Sequence, residues 1–479
     1  MYSVLNQAEL RKKYGQVLGD ISPFDAGIPL VEAEDKTLEE IYYFRWHTYC
    51  QQIKKTPLGY VVTEYLTEVP WAGIYNTINC PAGHHFAEGR WLHNRKYLED
   101  YAAFWFTPEA EPRKYSFWAA AAILDACRVW GDYSVAEALY PKLKENYAAW
   151  EQSHGRENGL FYQIDNYDGM EYSIGGSGLR PTINSYMYAD ALALAEIAER
   201  LNEPDDADLF REKARNLRER INEKLWDKGA AFYKTLSEDR DYTFSDVREE
   251  VGYIPWCWNI PEPEMSVAWK FLTDENHFAA PYGPTTAERC HPDFMKVHPH
   301  ECLWNGPSWP FATTQTLTAM ANLLRHYEQC YVNKSNYWQL LRQYAACQYI
   351  EENGEKRPFI DENLDPFTGR WLAREILQAE RPPRADRDRG RDYNHSAFCD
   401  LVLSGLAGLR LENGRVIAEP LFEPEDLAWF CADGVRLGDR FVTLLWDRDG
   451  TRYGKGPGLR LLVDGEEKAS APGIGTLKA

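Results

Sequence analysis

Apolar residues recur at three- and four-residue intervals along most of the chain between residues 37 and 409, the spacing of helices that bury one face. The pattern predicts helices over 37–55 (TLEEIYYFRWHTYCQQIKK), 90–106, 115–131, 134–152, 181–201, 205–225, 264–272, 307–329, 335–352 and 394–409. Pro181 and Pro307 stand at first turns, where the missing N–H has no partner to lose and the fixed φ suits the helix. Short links (131–133, 202–204) alternate with long stretches rich in Gly, Trp and Asn at 57–83, 154–179, 252–263, 279–305 and 354–369. Long ordered loops usually carry function. The alternation predicts an all-α fold, a closed toroid of helical hairpins, with short links on one rim and the long loops lining a cup on the other. No fixed-period repeat is present, which argues against a solenoid. Beyond residue 409 the pattern turns β-prone at 440–445 and 459–463, with turn signals at Asp449-Gly450 and Asp464-Gly465. The expected division is a catalytic body over 1–410 and a small β-rich appendage over 411–479.

Composition sharpens this. Aromatic residues make up 14% of the 479, with 17 Trp and 30 Tyr. A flat ring with a polar tip suits both the C–H faces and the hydroxyls of a sugar, although most of these rings belong in the core. The net charge of −20 disfavours nucleic acid and anionic membrane surfaces as partners. Residues 1–20 show no leader-like apolar run, and no stretch is long enough to span a bilayer. None of the 10 cysteines forms a C-x-x-C pair. Cys127, Cys330, Cys347 and Cys399 fall within helical patterns, as reduced thiols in a cytoplasmic protein would. The sequons at Asn333 and Asn394 lie in or beside predicted helices and read as chance matches.

Glycoside hydrolysis needs two carboxyl groups, an acid for the leaving oxygen and a base or nucleophile on the other face. The loop 165–180, DNYDGMEYSIGGSGLR, carries Asp165, Asp168 and Glu171 before Gly175, Gly176 and Gly178. Its apolar neighbours Met170 and Ile174 could desolvate a carboxyl and raise its pKa. Arg180, Asn184 and Tyr186 follow at the start of a helix. The segment 358–369, PFIDENLDPFTG, offers Asp361, Glu362 and Asp365. Asp365 reads as a turn residue, which leaves Glu362 as the better base. The segment 298–311, HPHECLWNGPSWPF, reads as a sugar-stacking wall of Trp304 and Trp309 with Asn305 as a polar contact. Trp71 in WAGIYN, the group His84, His85, Glu88, Arg90 and Trp91, and the trio Tyr393, Asn394 and His395 are further candidates for hydroxyl contacts or loop anchors. His298, His300, Glu301 and Cys290 fit no standard zinc spacing, so no metal and no cofactor is expected. P-loop, dinucleotide and hydrolase-elbow motifs are absent. The glycine run before a helix keeps a sugar phosphorylase open. A sugar isomerase, epimerase or lyase on the same toroid stays open as well, as does a non-catalytic glycan-binding protein.

The strings DGMEYSIGGSGLRPTINSYMYADALALAEIA, EEVGYIPWCWNIP, WNGPSWP, ENLDPFTG and DYNHSAF follow one another in an order that resembles the six-hairpin glycosidases of the family 63 and mannosylglycerate-hydrolase-like group, near glycoside hydrolase family 142. The resemblance spans roughly residues 35–410. It implies an (α/α)6 toroid and an inverting mechanism. The family's G-W-D segment supplies the acid; here Gly169-Met170-Glu171 takes its place, which makes Glu171 the acid and leaves Asp168 as a rival. The family's base lies four residues before the Pro of P-x-T-G, and Glu362 stands four before Pro366. Trp304, Asn305, Gly306 and Pro307 match its W-x-G-P. The expectation is an exo-acting, inverting glycosidase acting on a small carbohydrate or glycan. Trp71, Arg90, Trp91, Arg180, Asn184, Tyr186, Trp304, Asn305, Trp309 and His395 are its expected substrate contacts. Neither the sugar nor the oligomeric state follows from the resemblance.

Overall fold

The structure is a computed structural model that describes residues 4–19, 25 and 27–479. Residues 1–3 and 20 of the amino-terminal stretch read above lie outside the described residues. Six helical elements form an inner set: Ala82–Gly89, Ala119–Trp130, Pro181–Arg200, the 3-10 helix Glu250–Trp258, Pro310–His326, and Phe398–Asp400 continued by the wider turns of Leu401–Leu406. Each packs on the next, and the last packs on the first. Lys36–Gln52, Lys96–Phe104, Ser134–His154, Pro204–Lys224 and Lys334–Cys347 pack outside them. The 3-10 helix Pro263–Phe271 also lies outside, with Trp269 against Tyr253 at 4.6 Å.

Burial distinguishes the outer Pro204–Lys224 from the inner Pro181–Arg200. Pro204–Lys224 buries only Ala207, Phe210, Ala214, Leu217 and Ile221, one stripe at helical spacing. Pro181–Arg200 is buried at every position from Pro181 to Ala191. Polar groups on inner helices are spent on their neighbours. The Asp190 side-chain carboxyl accepts from Ala121 N at 3.0 Å at the start of Ala119–Trp130, a helix with no side-chain cap of its own. Glu88 accepts from the backbone N–H groups of Cys399 and Asp400, at 2.9 and 2.7 Å, and so closes the set from first to last. Gln315 donates to the Tyr186 hydroxyl at 2.7 Å, and Thr316 to Glu250 at 2.8 Å.

Several predicted boundaries change. Of the segment 90–106 only Lys96–Phe104 is helical, because the chain turns at residues 90–95 after the helix Ala82–Gly89. Residues 252–263, read as a long loop, largely belong to the inner 3-10 helix. Pro310, not Pro307, opens the helix after the Trp-rich segment, since Ser308 is held extended against Leu364. Cys330 lies past a helix end and is exposed.

The carboxy-terminal β prediction has strands at Arg440–Asp447 and Gly458–Val463. They belong to an antiparallel five-stranded sheet, in the order Leu30–Ala33, Trp429–Leu437, Arg440–Asp447, Gly458–Val463, Glu466–Ala471. Its edge strand Leu30–Ala33 comes from before the first long helix, which the hydropathy pattern did not announce. The chain is therefore predominantly helical with a sheet region, and not purely α. Gly438 N donates to Val129 O at 2.9 Å, which ties the sheet to the end of an inner helix.

Asp190→Ala is expected to destabilise the fold by about 1–3 kcal/mol through the uncapped, buried helix terminus. Asp190→Asn, which keeps an accepting oxygen, is expected to cost less than half of that. Urea unfolding of the two variants checks the ordering.

Candidate active site

Loops between the helices enclose a cavity of about 410 Å³, within the size range of ligand sites. Its wall is aromatic. Trp304 and Trp309 stack at 4.4 Å, with Phe311 edge-on to Trp304 at 5.9 Å, and Trp71, Tyr65, Tyr115 and Tyr393 complete the lining.

Glu171 opens onto this cup. A 3-10 turn, Asp165–Asp168, runs into Gly169 at φ +75°, where a Cβ would stand 2.5 Å from the Cys80 sulfur. Only glycine fits there without moving Cys80. Met170 then turns inward, and Trp304 N donates to the Glu171 carbonyl at 3.0 Å, which fixes the acid to the tryptophan wall. Burial, reinforced by the charge of Glu362, pushes the Glu171 carboxyl up to about 8.

Glu362 lies in the extended segment that pairs Leu364 with Ser308 in both directions at 2.9 Å. It is fully buried. Its Oε2 accepts from the Cys302 thiol at 2.9 Å, and its Oε1 lies 3.3 Å from Arg389 Nε. Arg389 also pairs with Glu301 and with Asp386, and stacks 5.2 Å over Trp71. His395 Nε2 donates to the Glu362 carbonyl at 3.1 Å. Next to Glu362, burial and that neighbouring charge push Asp361 up to about 7.

Of the residues singled out by sequence, Glu171, Trp71, Trp304, Trp309, Tyr393 and His395 line the cup, as do His300 and Glu301, and Glu362 lies behind Cys302 and Arg389. The others are elsewhere. Asp168, the rival acid, is fully buried against Arg180 at 2.7 Å and is also bonded by Thr182, so its charge is matched and it does not line the cup. Arg180 is thereby a structural partner, also bonded to Ser173. Asn184 bridges Phe161 and Arg180 backbone groups, and Tyr186 is engaged by Gln315. Asn305 donates to the Lys296 carbonyl at 2.8 Å and folds its own loop. Arg90 and Trp91 both bind Asp400 and border a second cavity of about 460 Å³.

The glycine run is closed on the protein itself, since Gly175 N donates to Glu249 at 3.0 Å and a carboxylate occupies the place a phosphate would need. The histidine–cysteine group does not assemble. Cys290 lies with His277 and Glu288, whose carboxylate is taken by Arg248 at 2.7 Å, whereas Glu301 serves Arg389.

Sequence reading missed Glu64, Cys302, Arg384 and Arg389, all of which line the cup. Arg384 and Arg389 sit in RPPRADRDRGRD, immediately before DYNHSAF. That run of alternating charge looks solvated, and its position beside a motif was the available signal.

A helical body with acidic side chains gathered in an aromatic cup defines the class as a glycoside hydrolase domain. The chain belongs to the family of the mannosylglycerate hydrolase MGH1-like glycoside hydrolase domain, whose sequence profile matches residues 74–396. A solved structure named "Sialidase" is similar over 100% of this chain and 45% of its own, at 36% identity and a TM-score of 0.92. The chain thus spans less than half the length of that protein. An uncharacterized conserved protein from Thermus thermophilus is similar at 13% identity and TM-score 0.56, over 76% of this chain and 98% of its own. A family 78 rhamnosidase of Bacillus sp. GL1 follows at 14% identity and TM-score 0.53, over 91% and 42%. No curated protein sequence matches the chain. No helix among the described residues is long and apolar enough to cross a membrane.

Arg389→Ala strands Glu362 without a counter-charge in a dry site and leaves Glu301 only the more distant Arg384, at 4.0 Å. It is expected to cost about 3–5 kcal/mol, and Arg389→Lys less, in urea unfolding.

Proposed function

We propose that this domain is an exo-acting, inverting glycosidase on a six-hairpin (α/α)6 toroid, with Glu171 as general acid and Glu362 as general base. The observation that carries the reading is the contrast between the two carboxyls. Glu171 opens onto the cup and holds its proton up to about 8 because burial and Glu362 oppose its charge. Glu362 is held by one thiol donor and faces a guanidinium 3.3 Å away. A carboxyl kept protonated by burial can serve as the acid, and a second carboxyl in the same site as the base.

The acid protonates the leaving oxygen while the base activates a water on the opposite face of the sugar, and the anomeric configuration inverts. The stacked Trp304 and Trp309 suit the apolar face of a terminal sugar, and a cup of about 410 Å³ suits an end of a glycan. The cyclic packing of the six inner helices supports the toroid. In this reading residues 1–410 are the catalytic body, and the sheet of 411–479 buttresses it with one strand borrowed from 30–33. Ten unpaired cysteines fit a reducing compartment such as the cytoplasm.

Glu171→Gln and Glu362→Gln are each expected to lower kcat on a hydrolysed aryl glycoside by about 10²–10⁴-fold with the fold intact. NMR of the first-formed anomer is expected to show inversion. Full activity in either variant rejects the assignment. Because the acid works only when protonated, kcat/KM is expected to fall as pH rises through about 8. A pH–rate profile flat to pH 10 would contradict the role of Glu171.

A further inference from the structure

Glu64 directly follows the strand Gly59–Val62 and Thr63, and is 4% exposed. The backbone around it is clamped: Asn394 N donates to the Glu64 carbonyl at 3.0 Å, and the Asn394 side chain donates to Thr63 O at 3.1 Å. One carboxyl oxygen, Oε1, accepts from the Tyr393 hydroxyl at 2.7 Å. The Tyr65 hydroxyl lies 3.0 Å from that of Tyr393. Since the Tyr393 proton is committed to Glu64, Tyr65 is the donor in that pair, and the chain of hydroxyls runs Tyr65, Tyr393, Glu64. Such chains polarise and hold the terminal group in one orientation. The other oxygen, Oε2, makes no hydrogen bond with the described residues, and the side chain lines the cup that Glu171 shares.

We propose that Glu64 is a sugar-binding carboxyl of the cup, a specificity-determining residue whose free oxygen binds one hydroxyl of the ring held there; this rests on the glycosidase reading. Burial, with further opposition from Glu362 and Glu171, keeps the Glu64 proton on up to about 8, so at neutral pH the carboxyl both gives and accepts a hydrogen bond. A hydroxyl does the same and is its natural partner. A ligand carboxylate would add a charge to a cup whose carboxyls already resist ionisation. The cationic side chains lining the cup, Arg384 and Arg389, are already paired with Asp386, Glu301 and Glu362. Leaving a buried polar oxygen unmatched is costly, which gives the sugar hydroxyl its share of binding.

The test is calorimetric binding, which needs no turnover. Neutral monosaccharides are titrated into the wild-type protein, then each monodeoxy form of the tightest binder, then the same series into Glu64→Ala. One deoxy position is expected to bind the wild type at least 10-fold more weakly. Glu64→Ala is expected to weaken the parent sugar to that level and to close the gap at that position alone. The gaps at the other positions stay open and show that the cup is intact. Tyr393→Phe is expected to weaken the same hydroxyl's contribution by several fold. If Glu64→Ala leaves every gap unchanged, or weakens all sugars equally, the proposal is wrong. It also fails if no neutral sugar binds or if the matching uronic acids bind better; hydrolysis of an aryl glycoside dependent on Glu171 and Glu362 would in those cases leave the hydrolytic reading standing.

Discussion

The cup gathers carboxyl groups in a space walled by tryptophan, tyrosine and phenylalanine. Several charges in so dry a place cannot all ionise. The protein relieves this in two ways. Arg389, itself stacked on Trp71, supplies counter-charge to Glu301 and lies against Glu362. Glu171 and Glu64 instead keep their protons up to about 8. A group that holds a proton, beside a group that faces a cation, is the condition for acid–base cleavage. The remainder of the architecture places those side chains.

That placement comes from helices whose polar groups serve their neighbours. Asp190 and Glu88 are buried carboxyl groups on inner helices, and each caps the start of an adjacent inner element. The packing fixes where loops leave the helices, and the loops fix the acids: Glu171 through the Trp304 amide, Glu362 through the Ser308–Leu364 pairing, Glu64 through Asn394. These three contacts join segments far apart in sequence.

The helical plan was legible because its signal is local. Apolar spacing marked Pro181–Arg200 and Pro204–Lys224 to within a residue or two. The GME and DENLDPFTG motifs pointed to the carboxyls because glycine and turn residues carry local conformational meaning. Long-range pairing was not legible. Nothing near Leu30–Ala33 states that it adds a strand to Trp429–Leu437. Arg180 and Arg90 looked like sugar ligands until Asp168 and Asp400 were seen to occupy them. Conversely, Arg389 was hidden in an alternating charge run, which by composition belongs in water, yet it is 3% exposed. Residue type suggests chemistry, but only the partner decides whether a charge is spent or available.

The proposed chemistry depends on a protonated carboxylic acid at Glu171, held so by burial and the charge of Glu362. The direct measurement is a carbon NMR titration of carboxyl-labelled glutamate, with the Glu171 signal identified by its loss in Glu171→Gln. The account predicts a midpoint near 8 that moves downward in Glu362→Gln. A midpoint near the ordinary value of about 4.3, unmoved by that substitution, would contradict it.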